Sequence, residues 1–187
     1  MNLSETLKKK TSIIVGGILL IFFTISFYIR TVLPYDAVFR PDSVRFASDD
    51  AVYHMRLVEN MLHHFPHRII FDPYTYFPHG RYVPFAPLYD YMIGFTTWII
   101  GLGHPSRELM LIIGAYFPAI LGSLVIFPVY FIGKEIYDRK VGLISAGLIT
   151  ILPGQFLSRS VLGCTDHHVA EVLFSTIFIM FIIMAIK

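Results

Sequence analysis

The chain has 187 residues, 55% of them hydrophobic, with a mean hydropathy of +0.64 and a formal net charge of +2 at pH 7. That balance excludes an ordinary soluble domain and places the chain among membrane proteins. Its single cysteine, Cys164, excludes an intrachain disulfide and a zinc-thiolate site.

A spanning helix needs roughly 20 apolar residues. In chain order, the first such run is Thr11 to Ile29, which holds no charge and is followed by Arg30. No small-x-small cleavage signal follows, so it reads as an uncleaved transmembrane helix. Further long runs are Leu109 to Gly133, Val141 to Leu157 and Val169 to Ile186. A shorter run, Pro84 to Gly103, carries Asp90 and several tyrosines, threonines and glycines. The fold class expected is an all-α polytopic membrane protein with about four transmembrane helices and a long first external loop bearing interfacial helices.

The lysines orient these runs. They sit at Lys8-Lys9-Lys10, Lys134, Lys140 and Lys187, with Arg139 beside the middle pair. Short basic loops stay in the cytoplasm, so the N-terminus, the loop Lys134 to Lys140 and Lys187 are expected inside. The remaining arginines lie mostly in the segment after the first helix, long enough to escape the charge rule largely. Parity then requires an odd number of crossings between Arg30 and Lys134. Leu109 to Gly133 supplies one, and Pro84 to Gly103 is left as an external interfacial or re-entrant helix, where Asp90, Tyr89 and Tyr91 suit an interface.

Two acid-and-histidine clusters therefore face outward: Asp49-Asp50-Ala51-Val52-Tyr53-His54 and Asp166-His167-His168. Ionisable groups at a bilayer boundary are costly, so their default reading is functional. The segment Arg30 to Glu108 is too long for a passive linker. Val52 to Leu62 has helical apolar spacing at Val52, Met55, Val58, Met61 and Leu62, with Ser48 as its cap and acids in the first turn. Asp49 and Asp50 thus stand at a helix N-terminus, where the dipole favours acids. Asp72-Pro73-Tyr74 and Pro78-His79-Gly80 read as turns.

Other features carry less. In His63-His64-Phe65-Pro66-His67 the proline breaks any helix that would converge the rings, so a wet amphipathic surface is the better reading than a metal tract. Cys164 reads as a small packing residue. Asn2-Leu3-Ser4 matches a glycosylation sequon on the cytoplasmic side. There is no phosphate-cradling glycine-rich loop, zinc-protease helix or soluble nucleotide-binding pattern.

Asp50 and Asp166 with one imidazole suit a hard or borderline cation such as Mg²⁺ or Mn²⁺. The Asp-x-His spacing of Asp166 and His168 lets both reach one ion from a short turn. Arg159, at the same membrane edge, could neutralise phosphate charge. The competing reading pairs these acids with Arg56 and Arg159 merely to anchor helix ends.

Three stretches resemble oligosaccharyltransferase catalytic subunits, particularly the archaeal type. Ser48 to Arg56 is similar to the first acidic motif. Phe71-Asp72-Pro73-Tyr74-Thr75-Tyr76-Phe77-Pro78-His79-Gly80 is similar to the stretch that follows it, and Ser158 to His168 to the second motif in its Asp-x-His form. The resemblance implies a C-type glycosyltransferase. It would move an oligosaccharide en bloc from a dolichol-type phosphate or diphosphate lipid to the asparagine of an Asn-x-Ser/Thr acceptor, with inversion and with Mn²⁺ or Mg²⁺. It implies Asp50 as the metal and catalytic carboxylate, Asp166 and His168 as further metal ligands, and Arg159 as a catalytic arginine beside the acceptor. His79 is a weaker candidate near the metal, and Asp49 and His167 are supporting groups. The lipid bilayer is a partner, and no nucleic acid is. Where the family usually has Asn-Asp, this chain has Asp49-Asp50. Residues 1–187 would be the N-terminal part of the transmembrane domain, with residues 30–108 the first external loop.

The family also has more helices, a further acidic loop, and a soluble domain with a Trp-Trp-Asp-Tyr-Gly motif. This chain holds one tryptophan, Trp98, and is expected to be a fragment, a truncated product or one piece of a split enzyme that needs its C-terminal portion in trans. Alone it is expected to be inactive. Two other classes stay open: a protein O-mannosyltransferase-like enzyme of the same superfamily, and a non-enzymatic metal-binding membrane protein. The topology is directly testable. Single cysteines at Ser43 and Ser160 should react with an impermeant reagent applied outside, while one at Val141 should not. External labelling at Val141 would place an extra crossing at Pro84 to Gly103 and separate the two clusters.

Overall fold

A computed structural model of the chain describes residues 3–187, with side chains from Lys9 onward. Asn2, and with it the sequon, lies outside the described residues. In chain order the elements are α1 (Leu3–Thr31), α2 (Tyr35–Val38), β1 (Phe39–Arg40), β2 (Ser43–Val44), α3 (Asp49–His63), β3 (Phe71–Asp72), β4 (Arg81–Tyr82), α4 (Leu88–Ile100), α5 (Arg107–Leu124), α6 (Ile126–Ile136), α7 (Arg139–Ile151), α8 (Gln155–Ser158) and α9 (His168–Ile186). Among the described residues the regular structure is helical apart from two short antiparallel hairpins, β1–β2 and β3–β4.

Among the described residues, three stretches are long and apolar enough to cross a membrane: Lys9–Val38, Arg107–Ile136 and His168–Ile186. The fourth expected span, Val141 to Leu157, differs. Helix α7 has 13 residues, about 20 Å at 1.5 Å per residue, against a hydrocarbon core of about 30 Å. It stops because Leu152, next to Pro153, is extended (ψ 120), as a residue before proline prefers. α8 follows as a separate turn. The shorter apolar run Pro84 to Gly103 contains α4, also 13 residues and likewise too short to span.

The chain divides into two compact units. Of the described residues, one holds 3–35, 119–161 and 168–187. Its core is Leu19, Ile126, Tyr130 and Ala146, with Val15, Phe22, Phe127, Leu143 and Ile149 around it. Helices α6 and α7 form a hairpin whose turn is capped by Asp138, the carboxylate accepting from the Lys140 and Val141 amides. Their backbones approach at Gly133 and Gly142, where a Cβ on Gly142 would stand 2.6 Å from the Tyr130 carbonyl oxygen. Small residues at such a crossing are the usual device of helix packing in lipid. Near the end of α1, Arg30 is fully buried. Its Nε donates to Ser160 Oγ (3.0 Å) and its Nη1 to Ser26 Oγ (2.6 Å), and its guanidinium lies over Phe156.

The other unit holds residues 36–118 and 162–167. As expected, Ser48 caps α3, accepting from the Ala51 amide at 3.2 Å. The buried face of α3 is Ala51, His54, Met55, Leu57, Val58 and Met61. Val52, expected in the stripe, is 55% exposed, and His54 takes part in the buried stripe instead. Met61 lies against Gly94 of α4, and Met55 against Gly114 of α5. A second cluster joins Val38, Ala115 and Leu162 with Phe39, Val44, Phe46 and Tyr116.

Asp72, expected only in a turn, is a buried structural acid. It pairs with Arg56, one bond of which (from Nη2) is 2.9 Å, and it accepts from Thr75 Oγ1 (2.8 Å) and the Tyr74 amide (3.0 Å). The Arg56 hydrogen bond, helped by Thr75 and Tyr74, holds its carboxyl well below the usual carboxylate range. A depressed value means the stabilisation is complete above the unfolded carboxylate value, near pH 4, and is lost as pH falls through the folded one. Asp72→Asn should therefore lower stability by roughly 1–3 kcal/mol near neutrality, a value moderated by the half-exposed Arg56. In melts followed by circular dichroism in detergent, the gap to the parent protein should persist down to about pH 4 and close in stronger acid. A gap of equal size at every pH would show that charge is not what Asp72 contributes.

Candidate metal centre

The second motif is held in place by backbone geometry. Gly163 adopts φ +77, and a Cβ there would meet Val38 Cγ2 at 2.9 Å and the Arg45 carbonyl oxygen at 3.1 Å. A side chain is therefore barred twice, by dihedral and by space. The Gly163 amide donates to the Ala115 carbonyl (2.9 Å), its own carbonyl accepts from Ala47 (3.0 Å), and Thr165 Oγ1 donates to the Gly114 carbonyl (2.8 Å). These bonds tie the residues before Asp166 to α5 and to the strand leading into α3. Asp166 is thereby delivered to the α3 face at 3% exposure.

What it meets there is His54, one helical turn beyond Asp50 and on the same face of α3. His54 Nε2 is 3.1 Å from His167 Nδ1, which is 3.0 Å from Asp166 Oδ1. The far nitrogen of His54, Nδ1, is 2.6 Å from Asp90 Oδ1, and the other oxygen of Asp90 is 2.8 Å from Arg68 Nε. His54 and Asp90 are both fully buried. Phe85 lies against both histidines, with ring centroids 4.6 Å from His54 and 5.1 Å from His167. Tyr89 stands edge-on to His54 at 5.3 Å. Burial, and then the charge of Asp166, pushes the Tyr89 phenol up, which keeps it neutral.

Asp90 thus departs from its expected place at an interface. It sits inside the unit because Arg68 and His54 supply the charge and the hydrogen bond that a buried carboxylate needs. The sequence signal was a lone acid inside an apolar run, and its partner Arg68 lies 22 positions earlier in an irregular segment. Arg56 turns to Asp72, so it does not anchor Asp49 or Asp50.

Of the expected site residues, Asp50 is in the first turn of α3 and exposed, beside the equally exposed Asp49. His168 opens α9 in the other unit, with Nδ1 2.8 Å from Glu171 Oε2. Arg159 ends α8 in that unit, exposed, with Nε 3.5 Å from Gln155 Oε1. Within the unit of α3, the donors that converge to within 4.8 Å of one another among the described residues are His54, Asp166 and His167. Two imidazoles and a carboxylate are a donor set that fits a divalent cation. His63, His64, His67 and His79 are exposed, and Cys164 is buried.

The family model described as oligosaccharyl transferase STT3, N-terminal, matches residues 19–187. The chain is 44% identical over 155 residues to dolichyl-phosphooligosaccharide-protein glycotransferase 3 of Archaeoglobus fulgidus, covering 83% of this chain and 18% of that one. It is 37% identical to the dolichyl-monophosphooligosaccharide–protein glycotransferase AglB of Haloferax volcanii, covering 81% and 14%. The structure resembles the A. fulgidus oligosaccharyltransferase in its apo form, with a TM-score of 0.85, 40% identity, and coverage of 91% of this chain and 19% of that one. Similar structures from A. fulgidus include an oligosaccharyltransferase AglB in complex with an inhibitory peptide and a dolichol-phosphate, and an oligosaccharyltransferase complex with Zn and sulfate. The chain spans less than a fifth of the length of these relatives. With three apolar helices long enough to span, it is a multi-pass membrane protein.

The Asp90 chain can be weighed by mutation. Asp90→Ala leaves Arg68 buried without its carboxylate and should cost about 3–5 kcal/mol. The double variant Asp90→Leu with Arg68→Met should recover part of that loss, since an apolar pair avoids both desolvation terms. Thermal melts in lipid nanodiscs read both values. A double variant as unstable as the sum of the singles would mean the two groups do not act as a pair.

Proposed function

Since the chain belongs to the oligosaccharyl transferase STT3 family and matches its N-terminal part, we propose that it forms the N-terminal portion of a metal-dependent, inverting glycosyltransferase. The reaction is transfer of an oligosaccharide from a dolichol phosphate or diphosphate to the asparagine amide of an Asn-x-Ser/Thr segment. The anomeric C–O bond to phosphate breaks as the C–N bond forms on the opposite face; the phosphate leaves on its lipid, and the amide nitrogen gives up one proton, which the released phosphate or a carboxylate takes up. The observation that carries this reading is the meeting of the two motifs in one compact unit: His54 of the first motif touches His167, and His167 touches Asp166. The O-mannosyltransferase and ion-binding alternatives have no such support.

Asp50, exposed at the start of α3, is the carboxylate assigned to accept an N–H of the acceptor amide and to serve as a metal ligand. Asp166 and His168 are assigned as further ligands, and the exposed guanidinium of Arg159 as the group that offsets phosphate charge. Bound Mn²⁺ or Mg²⁺ would supply the positive charge that stabilises the leaving phosphate. The relatives crystallised with dolichol-phosphate and with Zn and sulfate support a phosphate-bearing donor and a divalent ion. In this reading residues 30–108 form the first external loop, the N-terminus is cytoplasmic, α7 and the segment through α8 together make the return crossing, both motifs face outward across the cell membrane, and the C-terminal portion of the enzyme completes the site.

The assignment is tested in the full-length protein with lipid-linked oligosaccharide, Mn²⁺ and a sequon peptide. Asp50→Ala and Asp166→Ala should each reduce turnover by at least 100-fold, consistent with the loss of a group that acts in the transition state, while Asp49→Ala should be milder. An essential Asp49 beside a dispensable Asp50 would shift the assignment by one residue.

A further inference from the structure

Arg30 is fully buried near the end of α1, within the span Lys9–Val38. Every acceptor it reaches among the described residues is neutral. Its Nε donates to Ser160 Oγ at 3.0 Å and its Nη1 to Ser26 Oγ at 2.6 Å, with the Ser26 and Thr150 carbonyls 3.4 Å from Nη1. Its Nη2 is buried without a hydrogen-bond partner. A guanidinium so placed carries a desolvation cost that no opposite charge offsets, and an apolar side chain would close the end of α1 at lower cost. Packing of α1 therefore does not explain a cation at this position, whereas its grip on α8 does. The α8 turn has four residues, none of them buried, and no side-chain cap at Gly154, and a single helical turn does not persist by itself. Arg30 holds it at two points, with the guanidinium 5.3 Å from the Phe156 ring centroid and Nε on Ser160. Ser160 Oγ in turn donates to the Phe156 carbonyl at 2.6 Å, which uses its single proton. The exposed Arg159 lies in the chain between these two anchors. Gly122 leaves room for the arrangement, since a Cβ there would stand 2.5 Å from Ser160 Cβ and 3.0 Å from Arg30 Nε.

We propose that Arg30 is a positioning residue for the transfer reaction: it locks the α8 turn and, through it, the direction in which Arg159 presents its guanidinium. The inference rests on the reading of Arg159 as the group that offsets phosphate charge. A guanidinium fork acts best on phosphate when its direction is set before the ligand arrives, because planar, bidentate contact tolerates little angular error. Tying α8 to a long helix removes the freedom that a short turn after Pro153 and Gly154 otherwise has. The strut needs arginine in particular. Its planar head reaches Ser26, Ser160 and the Phe156 ring at once, which the single ammonium of a lysine does not.

The test is a double-mutant cycle on the full-length protein in lipid nanodiscs, with lipid-linked oligosaccharide, Mn²⁺ and a sequon peptide. Arg30→Gln and Arg30→Lys should each lower kcat and the donor kcat/KM together by about tenfold, with the peptide KM unchanged, as for an interaction made in the transition state. Ser160→Ala cuts the strut from the α8 side with Arg30 in place and should act in the same direction, so the test stands even where an Arg30 variant folds poorly. Glycopeptide accumulation over hours reads the slower Arg159→Ala background. There, neither Arg30→Gln nor Ser160→Ala should lower turnover by more than about twofold, because the group they position is gone. An undiminished cost in that background would show that Arg30 serves the fold at large, overturning this inference and leaving the role of Arg159 standing. Full turnover in Ser160→Ala and in a folded Arg30→Gln would overturn it as well. Full turnover in Arg159→Ala would overturn the reading of Arg159 and this inference with it.

Discussion

Asp90 has no contact with solvent, and its two oxygens are taken by His54 Nδ1 and Arg68 Nε. A lone carboxylate in that position would carry a desolvation cost of several kcal/mol. The unit holding α3 and α4 is therefore committed to bringing these groups together. Once it does, the orientation of His54 is no longer free: its Nδ1 is directed to Asp90 and its Nε2 to His167. Helix packing and site chemistry are the same constraint here. Met61 over Gly94 sets how closely α3 and α4 approach, and that approach allows a bond of 2.6 Å between His54 and Asp90.

The second motif depends on a different kind of constraint. Its acid is placed by main-chain bonds and by a positive φ at Gly163. Fixing the Asp166 carboxylate through backbone contacts removes most of the freedom its loop would otherwise have. Nearby, the β3–β4 hairpin uses Asp72 as its fastener, with Arg56 reaching across from α3. Arginines in this region thus act as internal struts for the fold as well as sources of charge.

The helical unit solves its polar burdens with hydroxyls. Arg30 is buried with Ser26 and Ser160 oxygens as hydrogen-bond acceptors and a ring face beneath its guanidinium. Gly122 leaves the space, since a Cβ there would stand 2.5 Å from Ser160 Cβ. Neutral acceptors around a buried cation avoid a second desolvated charge. The same unit breaks the apolar stretch after α7 at Pro153, and the chain continues as the short α8 that ends on Arg159.

The sequence by itself determined the class of molecule, the apolar runs of α1, α5–α6 and α9, the Ser48 cap, and the identity of the two motifs. These follow from local properties: length of apolar run, capping chemistry and residue order. It did not determine the end of α7, where Pro153 outweighed hydropathy. Nor did it determine the face of α3, since a periodicity counted on apolar residues passes over His54 and admits the exposed Val52. Only the tertiary structure decided the partners. Asp90 with Arg68 and His54, and Asp72 with Arg56, join residues 16 to 36 positions apart. His54 meets His167 across 113 positions. Such pairings leave no periodic trace in a sequence, because what selects them is the cost of an unpaired charge once water has been excluded.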